Sequence, residues 1–527
     1  MFDTLLRGGT VIDGTGRAAF AADVAIENGK IAAVGQLSHA RARRTVDCTG
    51  MTVTPGFIDI HRHADGAAFR PGFGEWELCQ GLTTIVNGNC GLSAAPFGPD
   101  NEAAIRAYLQ PITGDLPPRL YSRSLAGYFR SLPALPLNVG MLVGAGTLRA
   151  DAAGYQLTEL ADGHFAAIHC QMEQALSDGA LGVSLGLGYA PECFYSTADL
   201  IRALQPVAGT DIPVTVHMRQ EGGGVAESVR EMIAVARALN CPVHISHLKA
   251  MGRDNWGKKI PQVLTLLEQA QNEGLRVDCD VYPYTAGSTQ LLHILPPDYL
   301  TGGMEAVVER LRDQSVRREL AERIESGVGF DDIAKLAGWD GIYLTSLHCP
   351  EDHPYQGHNL MEIAALMGQD PLSSCCELLA REHGQITMID FVASEEDICA
   401  ILRSSLSCVI SDATYPTEGQ LHPRVCGNVT HLLEHFVREK KALSWEQAVH
   451  KLTGRPAQVL GLTGKGRLEA GCDADVCMFA PEALHERATY TEPQQTSQGM
   501  SLVLVAGEIA LENGKPTGIC AGRAVRR

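Results

Sequence analysis

Two hydrophobic patterns alternate along this chain. Short apolar-rich runs stand at 57–60, 83–86, 139–143, 181–185, 214–217, 243–246, 277–282 and 408–410. Runs of this length bounded by turns predict strands buried on both faces. Stretches with helical periodicity, such as 226–239 and 260–273, separate most of them. Buried strands joined by helix-length spacers predict βα units and a parallel sheet. Eight of them suggest an α/β fold of the (β/α)8, TIM-like barrel type. Residues 283–407 lie between the seventh and eighth runs, far more than a crossover needs. A charged helical run at 304–327 therefore predicts a helical insertion, a subdomain or lid, at about 290–345.

The two ends read differently. Residues 1–54 and 465–527 are strand-rich and carry hairpin turns at Asn28-Gly29 and Asn513-Gly514. Neither end is large enough for a robust core alone. The economical arrangement is one small β-sandwich built from 1–54 and 465–527, with the barrel over 55–464 inserted between them.

Bulk properties narrow the partners. A length of 527 residues suits a large α/β domain with appendages. With a net charge of −18, the surface repels nucleic acid and anionic lipid, so neither is expected as a partner. No apolar run reaches the ~18 residues of a membrane span. The start, Met1-Phe2-Asp3-Thr4-Leu5-Leu6-Arg7, lacks the apolar core of an export signal, so a cytoplasmic location is expected. The 16 cysteines then read as reduced thiols rather than a disulfide framework.

Strand C-termini of a barrel converge on one face, which carries the chemistry. The first run ends in His61-Arg62-His63. Strand alternation puts His61 and His63 on one face, about 7 Å apart at ~3.3 Å per residue, with Arg62 on the other. Two imidazoles so placed can grip one divalent ion. The second run leads to Cys90, the fifth ends with His217, the sixth with His247 and the eighth with Asp412. Six potential ligands thus come from five strands. Arg62 is read as structural and His244 as a supporting or core residue, while Glu192 and Cys193, after the fourth run, have no assigned role.

These motifs resemble the amidohydrolase superfamily and, within it, the D-aminoacylase (N-acyl-D-amino-acid deacylase) family, over nearly the whole chain. The resemblance rests on Pro55-Gly56-Phe57-Ile58-Asp59-Ile60-His61-Arg62-His63, Gly88-Asn89-Cys90-Gly91, His217-Met218-Arg219-Gln220-Glu221, Ile245-Ser246-His247-Leu248-Lys249, Asp280-Val281-Tyr282-Pro283-Tyr284-Thr285-Ala286-Gly287-Ser288-Thr289 and Leu421-His422-Pro423-Arg424. It implies a barrel plus a small β-sandwich that binds zinc. Many relatives bridge two metals with a carboxylated lysine or a glutamate on strand four. Here that strand reads Leu181-Gly182-Val183-Ser184-Leu185-Gly186 and has neither. In this family a strand-two cysteine takes the role, and Cys90 holds that position.

By resemblance, Cys90, His217 and His247 bind a tight zinc, and His61, His63 and Asp412 frame a second, weaker or empty site. Lys249, Tyr282 and Ser288 receive the substrate α-carboxylate, and Arg424 either adds a second cation there or forms a surface ion pair. The implied reaction is hydrolysis of an N-acyl-D-amino acid, a small-molecule partner, with Asp412 moving the proton, in a monomer or small homo-oligomer. One departure is Gly144-Ala145-Gly146-Thr147-Leu148-Arg149, where the family often has Gly-His-Gly. It spares the ligands and bears on substrate range. Two alternatives stand beside this reading. One is another amide or cyclic-amide hydrolase of the superfamily, isoaspartyl-dipeptidase-, dihydroorotase- or hydantoinase-like, against which the missing strand-four lysine argues. The other is a non-catalytic member, against which the intact ligand positions argue.

Overall fold

The apolar runs become eight parallel strands in a computed structural model that describes residues 1–327 and 329–527. They are Phe57–Asp59, Leu82–Asn87, Asn138–Met141 continued by Val143–Gly144, Val183–Gly186, Val214–His217, Val243–Ile245, Val277–Val281 and Ser407–Val409. Neighbours pair in chain order. The third strand is interrupted only at Leu142. The Leu142 N–H donates to Asn87 O (2.9 Å) and the Val143 N–H to Gly182 O (3.0 Å), so one strand serves both flanks. The ring closes where the first and eighth strands end. Asp412 N–H donates to His61 O and His63 N–H to Ala413 O, both at 2.9 Å. The barrel is therefore sealed by the backbone of the residues expected to carry chemistry.

Helices wrap the ring because their apolar positions recur on one face. In Val225–Leu239, Val225, Val229, Met232, Ala236 and Leu239 are buried in the barrel core, at three- and four-residue spacings. Glu227, Arg230 and Arg237 stay in solvent. Asn240, at φ 50°, takes the left-handed conformation that ends the helix.

Both chain ends meet in one nine-stranded sheet. Thr52–Pro55 pairs antiparallel with Val476–Phe479, Pro55 opposite Val476. Alternation gives this sheet two jobs. Val476 and Met478 point into a small core with Leu6, Val24 and Ile31. Cys477 and Phe479 point the other way, into the barrel core.

The insertion between the seventh and eighth strands contains the expected helices, and more. The charged run divides into Met304–Arg312 and Gln314–Ser326, because the Asp313 side chain accepts the Ser315 N–H (2.7 Å) and starts a new helix. A three-stranded antiparallel sheet stands beside them, with Thr387–Phe391 between Ala286–Gln290 and Ile342–Ser346. Leu292, Val308, Leu320, Leu344, Leu378 and Met388 share a separate core under it. Five-residue buried strands carry no period that separates them from helix segments, which is why the sequence shows only the helical part.

Candidate metal centre

The six expected ligands converge at the C-terminal end of the barrel. His61 Nε2 lies 3.2 Å from Cys90 Sγ and 3.4 Å from Asp412 Oδ1. His63 Nε2 lies 3.2 Å from the same Asp412 oxygen. His247 Nε2 is 3.5 Å from Cys90 Sγ and 3.1 Å from His217 Nδ1. Two nitrogens on one tetrahedral zinc stand about 3.3 Å apart, and a nitrogen and a thiolate about 3.5 Å, as the Zn–N and Zn–S lengths require. The observed separations match those edges, so the donor set fits zinc. Cys90 sits between His61 and His247, where the two expected halves of the ligand set meet.

The local backbone is unusual here. Cys90 (φ 53°), His247 (φ 37°) and Asp412 (φ 53°) all adopt left-handed conformations that residues with a Cβ rarely hold. Gly88 and Gly91 flank Cys90 with φ of 75° and 73°, so the loop turns sharply enough to bring the thiol inward.

The electrostatics also suit a cation. Burial pushes the Cys90 thiol well above its ordinary range, and the carboxylates of Asp412 and Glu221 add to the shift. A thiolate at this position therefore needs a positive partner. Burial lowers His63 to about 4 and takes His217 well below its ordinary value, which leaves neutral imidazoles with free lone pairs. Burial alone would raise Asp412. Arg424, 3.1 Å away, and the neighbouring histidines hold it well below the carboxylate range instead.

Around this core stand groups that orient it. Glu221 Oε1 accepts from His247 Nδ1 (2.9 Å), which fixes the tautomer that frees Nε2. Its other oxygen pairs with Lys249 Nζ at 2.7 Å. Asp280 accepts the His247 N–H and lies 2.8 Å from His244 Nε2, so His244 is a supporting residue as the sequence reading has it. Arg62 faces away and is fully buried, paired with Asp59 (3.2 Å), Glu77 (2.9 Å) and Tyr415. Tyr282 lies under Arg424 (4.8 Å) and Lys249 (5.8 Å). Ser288, on the insertion sheet, touches Thr414 Oγ1 (3.3 Å), and its carbonyl accepts from Arg424 (3.2 Å). Arg424 is wholly buried, and neither its Nε nor its Nη1 has a hydrogen-bond partner. A buried guanidinium with free donors is poised for an anion.

Three further residues at the cavity have no role in the sequence reading. Glu221 stands inside a motif but beyond the strand end. His293 and Asp390 come from the insertion, and burial lowers His293 to about 4 and pushes Asp390 up to about 7. The spacing of His217 and Glu221, four residues apart, is the one sequence signal that points to any of them.

Known proteins resemble this chain over its whole length. The amidohydrolase family profile matches residues 400–511. An N-acyl-D-glutamate deacylase of Alcaligenes xylosoxydans xylosoxydans is 35% identical, spanning 100% of this chain and 96% of its own. The crystal structure of N-acyl-D-glutamate deacylase from Bordetella bronchiseptica, complexed with zinc and a phosphonate mimic of the tetrahedral intermediate, superposes with a TM-score of 0.83 at 31% identity, covering both chains fully. A D-aminoacylase with a binuclear metal center superposes at 0.85, also with 31% identity and full coverage of both chains. With at least 30% identity to these enzymes over its full length, the chain belongs to the D-aminoacylase (N-acyl-D-amino-acid deacylase) family of the amidohydrolases.

Proposed function

We propose that this protein hydrolyses the amide bond of N-acyl-D-amino acids, giving a carboxylate and a free D-amino acid, with zinc as its cofactor. The observation that carries the reading is the cluster of imidazole, thiol and carboxylate donors 3.1–3.5 Å apart, with Asp412 held ionised against a buried Arg424. In this reading Cys90, His217 and His247 hold the tight zinc, and His61, His63 and Asp412 frame a second site. Zinc, when bound, supplies Lewis acidity at the amide carbonyl and makes water a nucleophile at neutral pH. Asp412 Oδ1 takes the proton from the attacking water and passes it to the leaving nitrogen. An amine leaves poorly unprotonated, so one carboxylate serves both steps. Arg424, Lys249, Tyr282 and Ser288 hold the α-carboxylate and so set the amide over the metal centre.

Hydantoinase-like chemistry has no support from the fourth strand, where Val183–Gly186 offers neither lysine nor glutamate. No helix among the described residues is long and apolar enough to cross a membrane. We place the enzyme in the cytoplasm, as a monomer or small homo-oligomer, with a sandwich of 1–54 and 465–527 around a barrel of 55–464. The test pairs metal analysis with turnover. Purified protein should contain zinc and release D-amino acid from its N-acetyl derivative, with the L-enantiomer far slower. Zinc-loaded protein that cleaves neither enantiomer would overturn the reading.

A further inference from the structure

A cavity stands over the metal centre. One end is the α-carboxylate site described above, and the present inference rests on that reading. The remaining wall is apolar or aromatic. Leu92, Tyr108 and Ile112 come from the segment after the second strand, Tyr189 follows the fourth, Met251 the sixth, and Ile333 comes from the insertion. Its uncharged polar groups are Thr289 and Thr414, whose hydroxyls already pair with Tyr189 (2.8 Å) and Ser288 (3.3 Å), Gln290, whose amide donates to Tyr108 O (2.8 Å), and His293. The His293 ring packs against Tyr189 (4.9 Å between centroids) and His217 (5.7 Å).

Cationic capacity in this space is limited. Lys249 is the only lysine or arginine lining the cavity among the described residues, and its Nζ is shared between Glu221, at 2.7 Å, and the α-carboxylate. Arg424, just behind, has free donors for one carboxylate and is otherwise held by Asp412 and Ser288. Glu221, Asp390 and Asp412 already bring three carboxyl groups to the same walls. A second substrate carboxylate would lose its water against apolar surface and find no free counter-charge, which is the costly case for a buried ion.

We infer that this pocket accepts neutral D-side chains, apolar, aromatic or amide, and rejects D-glutamyl and D-aspartyl ones, with His293 as the specificity-determining residue. The D-glutamine and D-glutamate substrates isolate the effect, because they share a shape and differ in charge. Zinc-loaded full-length protein should show kcat/KM for N-acetyl-D-glutamine and N-acetyl-D-methionine about 100-fold or more above N-acetyl-D-glutamate, the scale expected of one unpaired buried charge. His293→Arg adds a cation at the wall and should raise the glutamate-to-glutamine ratio at least tenfold. His293→Gln should keep the neutral preference. An unchanged ratio in His293→Arg would remove the role of His293, and if that variant does not fold, the wild-type panel still decides the pocket's selectivity. A wild-type preference for D-glutamate or D-aspartate would overturn the inference while leaving the deacylase function standing. Failure on every N-acetyl-D-amino acid would remove the function and this inference together.

Discussion

Lys249→Met removes the one lysine of the cavity and, with it, half of a buried ion pair. Nζ lies 2.7 Å from Glu221 Oε2, and the other Glu221 oxygen accepts from His247 Nδ1 at 2.9 Å. Two effects follow, and the substrate separates them. Capture of the α-carboxylate loses a charged hydrogen bond worth ~1.5–3 kcal/mol. That is roughly 10- to 150-fold in kcat/KM at about 1.36 kcal/mol per decade. Glu221 is also left buried and unpaired. Burial alone would raise its carboxyl, and Lys249 is the chief group that holds it down. Breaking a buried pair from one side costs about 3–5 kcal/mol of stability. This second effect is blind to the substrate. The assay compares N-acetyl-D-amino acids with their α-carboxamides in wild type, Lys249→Met and the double variant Lys249→Met with Glu221→Gln, alongside thermal melts. The double variant carries no orphaned charge, so its melting temperature should recover while the acid-specific defect persists. Equal losses on acids and carboxamides in that double variant would refute the carboxylate role of Lys249.

Three other outcomes are expected. Cys90→Ala should lose the tight zinc and nearly all turnover, since a methyl group donates nothing to a metal; full zinc content with normal kcat would reject Cys90 as a ligand. Asp412→Asn should fold and retain most zinc yet lose about 10²–10⁴-fold in kcat, and a loss under about tenfold would exclude it as the proton carrier. Glu192 is buried, and burial pushes its carboxyl up to about 8 despite the Gly186 N–H at 2.8 Å. The native state keeps a proton that the unfolded chain loses, so Glu192 lowers stability as pH rises from about 4.5 through 8, by up to roughly 5 kcal/mol. Glu192→Gln should therefore flatten the pH dependence of denaturant melts between pH 5 and 9, and identical slopes for variant and wild type would show that Glu192 is ionised throughout.

How far the site could be read from sequence depended on the physics of each position. His61 and His63 are legible because strand alternation alone puts them on one face, and the same rule sends Arg62 to its buried partners. His217, His247 and Asp412 are legible because they end apolar runs. Cys90 stands three residues past Asn87, at the end of its strand, in a loop whose left-handed turns no periodicity reports. Its place near a strand end makes it a candidate ligand, and only the resemblance gives it the role of the missing strand-four group. Glu221 was inside a recognised motif, but its partners His247 and Lys249 lie on another strand, so only the folded chain shows its purpose. Asp390 reaches the cavity because Thr387–Phe391 pairs with Ala286–Gln290, a pairing between strands almost a hundred residues apart that no local pattern sets. Arg424 could be read from the sequence as a surface ion-pair residue or a substrate group, and its complete burial beside Asp412 decides against the surface.

The left-handed backbone at Cys90, His247 and Asp412 bears on how this enzyme would respond to selection for heat resistance. Each such residue holds of order 1–3 kcal/mol of conformational strain, and glycine would release much of it. Glycine there would nonetheless not give a more heat-resistant chain: Asp412→Gly leaves Arg424 buried without its carboxylate, which costs about 3–5 kcal/mol and outweighs the strain released, and Cys90→Gly would forfeit the stability that zinc lends when bound. Durability and turnover therefore depend on the same side chains. A screen for heat resistance alone would accordingly leave these strained ligands in place.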